Sequence, residues 1–145
     1  MDASAIFNKV IESATRYGAR NPQQYKLLVA QLKKYAPEAV FDGLLQVFSE
    51  GPSEFEVQEL AGVLLKEVAP VSSFDLEAAL LSVKENYNLS VEQLPFHLVK
   101  IHGKDATTIA IKRLLSVTQS EKSRRSLETM LWWIKGNEDS AEKPA

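Results

Sequence analysis

The sequence predicts an all-α fold, seven or eight antiparallel helices arranged as stacked helical hairpins, and three observations carry that prediction. Apolar residues recur at a period near 3.6 along most of the chain, and helix caps and prolines precede those stretches while glycines follow them. Sustained alternation of β-branched and polar residues, the mark of a strand, is missing.

The first helix runs from about Ser4 to Tyr17, with Ile6, Val10, Ala14 and Tyr17 on one face and Gly18 as its stop. Asn21-Pro22 opens the second: the asparagine can accept from orphan backbone N–H groups, and proline at the first helical position has no N–H to leave unpaired. This helix extends to about Tyr35 and buries Tyr25, Leu28, Leu32 and Tyr35. Pro37 begins the third, whose Val40, Leu44 and Val47 face inward until Gly51. Ser53 and Glu56 have the spacing of a capping box at the head of the fourth, which Pro70 ends. Ser72 with Asp75 starts the fifth, reaching about Tyr87, and Ser90 with Gln93 starts the sixth, with Pro95 in its first turns. Asp105 is expected to cap the seventh, and the eighth runs from about Ser120 to Lys135, stopped by Gly136. Residues 1–136 thus form one all-helical domain, and 137–145, polar and without apolar anchors, are expected to be a mobile C-terminal tail.

Helices four and seven decide between a stack and a closed bundle, which is the alternative arrangement. Val57, Leu60, Ala61, Val63, Leu64, Leu65 and Val68 spread over an arc of about 180° at 100° per residue, as do Ala106, Ala110, Ile111, Leu114, Leu115 and Val117. A single core stripe is narrower, so such arcs favour helices with neighbours on two sides. Glycines add a rhythm: Gly18 to Gly51 and Gly103 to Gly136 each span 33 residues and one helical hairpin. With Phe55-Glu56-Val57-Gln58-Glu59-Leu60-Ala61-Gly62-Val63-Leu64-Leu65 and Asp105-Ala106-Thr107-Thr108-Ile109-Ala110-Ile111-Lys112-Arg113-Leu114-Leu115, the chain resembles the HEAT-like α-solenoid superfamily in the second helix of its repeats. It lacks that family's proline kinks and regular repeat length, so the resemblance implies an architecture without functional residues. Proteins of this shape mostly bind proteins or nucleic acids on a continuous surface, and small members occur among bacterial immunity proteins and DNA-repair enzymes.

A chain of 145 residues, 45% hydrophobic and 25% charged, can bury a core without staples. It has no cysteine, which removes disulfides, thiolate metal sites and cysteine nucleophiles. Met1-Asp2 lacks the basic start of a secretory leader, and no stretch reaches the roughly 18 apolar residues of a membrane span, so a cytoplasmic location without membrane contact is expected. The two histidines, His97 and His102, stand five apart, or about 140° on a helix wheel, too far to chelate one metal; they are expected at flanking or surface positions. No Walker-type loop, Gly-x-Gly-x-x-Gly run or Gly-x-Ser-x-Gly elbow occurs. No catalytic residue, cofactor site or metal site is therefore predicted, and an enzyme is not expected.

Charge is unevenly distributed. Residues 1–35 carry six basic and two acidic side chains, 36–95 two and eleven, and 96–136 eight and three. The acidic belt, including Glu54 and Glu59, has a structural explanation where it gathers at the head of helix four, since the helix dipole favours negative charge there. Arg113, Arg124 and Arg125 belong to the basic helices seven and eight. Trp132 projects about 155° from the face holding Leu127, Met130, Leu131 and Ile134, whereas Trp133 lies about 105° from it. Trp132, on the side of Arg125, is then an interface anchor unless the tail or a dimer mate covers it. Phe96 projects opposite Leu94, Leu98 and Ile101, to be buried by a second neighbour or exposed as a contact. The expected function is a non-enzymatic protein–protein interaction module using Trp132, Arg125, Phe96, Glu54, Glu59, Arg113 and Arg124. One version is a toxin-neutralising immunity protein, its acidic belt occluding a basic site; the alternative is a nucleic-acid-binding solenoid using the basic C-terminal helices.

Overall fold

A computed structural model describes residues 1–142, with side chains through Gly136. Among the described residues the chain is eight helices and no strand: α1 (Ala3–Tyr17), α2 (Pro22–Leu32), α3 (Pro37–Glu50), α4 (Phe55–Val68), α5 (Leu76–Val83), α6 (Gln93–His102), α7 (Lys104–Val117) and α8 (Glu121–Glu142). None is long and apolar enough to cross a membrane.

Local chemistry sets many of the boundaries. Asp2 accepts from the Ala5 N–H at 2.8 Å, Asn21 from Gln24 at 3.1 Å and Asp75 from Ala78 at 3.0 Å, each satisfying an orphan donor of the first turn. Pro22 and Pro37 occupy first-turn positions, and Gly18 ends α1 with a φ of 74° that glycine adopts without strain.

Several expected signals are overruled. The Ser53–Glu56 capping box does not form; Glu56 instead reaches across the chain to accept from the Ala19 N–H at 2.8 Å. Asp105 lies within the first turn of α7, after Gly103, and does not cap it. Helix α2 stops at Leu32 and α5 at Val83, both short of the expected tyrosines. Gly136 does not end α8, which continues to Glu142; the mobility expected of 137–145 concerns side chains outside the described residues.

Alternate helices pack on each other. α1, α3, α5 and α7 make one row and α2, α4, α6 and α8 the other, each helix touching the next in its row. Contacts of α4 with α1 and α3, and of α7 with α6 and α8, join the rows, and neither α1 nor α2 makes a substantial contact with α7 or α8. The helices thus form two rows, each helix packed on the next but one in the chain. The hairpin expected between Gly18 and Gly51 is corrected too, because α2 packs on α4 while α3 packs on α1, α4 and α5. Gly43 allows the close α1–α3 approach: a Cβ there would meet the Ala3 carbonyl oxygen and Ile6 Cβ at 2.8 Å.

The core runs the length of the stack from Ile6 and Val10 through Phe41, Leu44, Leu64 and Leu98 to Leu127 and Met130. Of the arc expected of α4, Val57, Leu60, Ala61, Leu64 and Leu65 are buried, while Val63 and Val68 are half-buried. That of α7 is narrower than expected: Ala110, Ile111 and Leu114 are buried, but Ala106 and Val117 are exposed. Tyr17, expected inside, is exposed. The α5–α6 connection is tied down by polar groups. Fully buried Gln58 donates to the Asn86 carbonyl at 2.8 Å and accepts from the Asn88 N–H at 2.7 Å, while the Asn86 amide donates to the carbonyls of Phe48 and Gly51. A buried glutamine is stable only when satisfied in this way.

Candidate functional site

Two places on the even row combine exposure with built geometry. The first is the outer side of α8, where Leu127, Met130 and Ile134 face the core and Trp133 is half-buried. The Trp133 indole N–H donates to the Leu89 carbonyl at 3.0 Å, fixing the ring against the α5–α6 connection. Trp132 sits edge-on to Trp133 at 4.7 Å between centroids, yet remains 64% exposed. Its outward direction agrees with the helix-wheel expectation. The edge-to-face pair holds a large amphipathic side chain in one orientation at the surface.

The second is a groove of about 330 Å³ between α4 and α6, lined by Leu65, Lys66, Glu92, Gln93, Phe96, His97 and Lys100. Gln93, Phe96, His97 and Lys100 recur every three or four residues and so share one side of α6. Gln93 lies over Gly62, where a Cβ would come within 2.8 Å of its Oε1, and its amide donates to Glu59 at 3.2 Å. His97 is buried and its ring stacks on Phe41 at 5.6 Å, while Phe41 stacks on Phe74 at 4.0 Å. Burial, then the nearby charges of Lys100 and His102, lowers the His97 pKa to about 4, so the ring is neutral at pH 7. Its Nε2 has no hydrogen-bond partner, nor has that of His102, whose ring meets Phe74 edge-on at 4.6 Å.

Of the seven residues singled out from the sequence, six lie along the even row and one does not. Glu54 precedes α4 and is exposed, Glu59 is half-buried under Gln93, Phe96 is half-buried in the groove, and Arg124, Arg125 and Trp132 are on α8. Arg113 lies on α7 in the other row and pairs with Glu77 at 2.8 Å. Arg124 donates to the carbonyls of Leu115 at 2.6 Å and Thr118 at 3.1 Å, satisfying the end of α7. The seven do not converge: α6 separates α4 from α8.

His97 is where sequence reasoning fell short, since it was expected at a flanking or surface position. On the helix wheel His97 lies about 70° from the centre of the Leu94, Leu98 and Ile101 face, at its flank, and it is the packing against Phe41 of α3 that buries it. Among the described residues, no group of three or more metal-ligating His, Asp or Glu side chains occurs. The chain matches no known family profile, and neither a curated protein nor a solved structure matches it.

Proposed function

We propose that the chain is a helical protein-interaction module that docks a partner on the outer side of α8, with Trp132 as its anchor. The observation carrying this reading is that Trp132 is 64% exposed and yet oriented by Trp133, which is itself hydrogen-bonded to Leu89. Tryptophan and arginine dominate binding hot spots, and a side chain already held in place loses little entropy on association. Arg125 lies two turns earlier on the same side of α8, which also carries Glu121, Glu128 and Lys135, and this suits a partner with an apolar pocket and a rim of mixed charge. A cytoplasmic setting accords with a cysteine-free chain.

Two other versions of the reading have less support. An immunity protein would present the acidic belt, but six of its eleven carboxylates, Glu50, Glu56, Glu59, Asp75, Glu77 and Glu85, already accept hydrogen bonds within the fold. A nucleic-acid surface on α7 and α8 would need Arg113 and Arg124, which are likewise engaged.

The test compares the native chain with Trp132→Ala for retention of a partner that co-purifies in stoichiometric amount. Loss of at least tenfold in affinity is expected, as for a hot-spot tryptophan. Undiminished affinity removes the α8 surface from the interface, and salt-steep binding to nucleic acid that vanishes on charge reversal at Arg125 replaces this reading with the nucleic-acid one.

A further inference from the structure

We propose that the groove between α4 and α6 binds a small organic anion, a planar ring bearing a carboxylate, with the ring against Phe96 and the carboxylate between Lys66 and Lys100. The groove encloses about 330 Å³, within the range that houses small ligands.

The lining specifies the chemistry. Half-buried Phe96 supplies the open apolar surface, with fully buried Leu65 of the facing helix as the floor behind it, suited to one flat ring. Lys66 and Lys100 flank it, both exposed at their ends and neither in an ion pair among the described residues. Glu92 is the one carboxylate in the lining, so cations prevail. His97, 4% exposed, lines the same groove with its Nε2 unpartnered. Buried polar atoms without a partner are uncommon in folded proteins because the lost hydration is not replaced. A ligand oxygen or a water it carries in would supply that partner.

The full chain is titrated with benzoate at pH 7 and followed by NMR. Saturable shifts are expected for the Phe96 ring and the His97 imidazole while Trp132 stays unshifted; benzyl alcohol, with the same ring and no charge, should produce no saturable shift. In the Lys66→Gln/Lys100→Gln variant, which alters two exposed side chains, benzoate affinity should fall at least tenfold with the remaining spectrum preserved. The proposal is overturned by the absence of saturable shifts at Phe96 and His97, by equal binding of benzyl alcohol, or by undiminished binding to the double variant. Equal displacement of the same resonances by inorganic phosphate at matched ionic strength also overturns it, since the ring would then contribute nothing.

Discussion

Helices α4 and α8 stand in the same row, yet they experience the stack differently. α4 touches α1, α2, α3 and α6, and seven of its 14 residues, from Val57 to Leu65, are buried. Among the described residues, α8 touches α6 and α7 substantially, and buries Ser123, Ser126, Leu127, Met130 and Ile134 along one stripe. An inner helix gives its apolar arc to stability, whereas an end helix keeps a free side on which an aromatic such as Trp132 can serve binding.

The contrast breaks most readily at Leu64, which is fully buried in α4. Leu64→Ala should destabilise the fold by roughly 2–5 kcal/mol, the range for cavities that cannot collapse, read from urea denaturation. A loss below about 1 kcal/mol would mean that α4 is not the packed centre.

The groove wall on α6 offers the next largest effect. A histidine ordinarily titrates near 6.5, and burial holds His97 down to about 4. Between those values the unfolded chain binds a proton that the folded chain does not, so stability is full above pH 6.5 and declines as pH falls toward 4. The decline contributed by this group is on the order of 3 kcal/mol. His97→Leu should flatten that part of the stability–pH curve, and an unaltered slope would assign it to other groups.

Glycine substitutions sharpen the comparison with opposite signs. A Cβ at Gly62 in α4 would meet Gln93 Oε1 at 2.8 Å and Gln93 Cβ at 3.1 Å, so Gly62→Ala should cost about 1–3 kcal/mol despite alanine's better helix propensity. At Gly136 in α8 nothing lies within 4 Å of the added carbon, and Gly136→Ala should stabilise by about 0.5–1 kcal/mol. Both are measured as denaturation midpoints; equal signs would contradict the assignment of inner and end helices. The smallest effect is expected at Trp132→Ala, whose folding stability should change by no more than about 0.5 kcal/mol because the side chain is mostly solvated.

Trp132 was legible in the sequence because its direction depends only on its angle from Leu127, Met130 and Ile134 on one helix. The groove was not, although half of it is written in the spacing of Gln93, Phe96, His97 and Lys100. The other half, Leu65 and Lys66, comes from a helix 28 residues earlier that the sequence does not bring alongside. Phe96, expected either buried by a second neighbour or exposed as a contact, is half-buried at the groove wall.

The sequence by itself determined the helical class, the cap at Asn21, the centre of the apolar arc of α4 and the outward tryptophan, because each depends on residues within a few turns, whereas α5 is capped by Asp75 and not by the expected Ser72. Only the tertiary structure decided that alternate helices pack together, that Glu56 serves Ala19 in place of Ser53, and that His97 is buried against Phe41. Those outcomes depend on which surfaces meet across tens of residues, and a helical period specifies the face that must be covered without specifying what covers it.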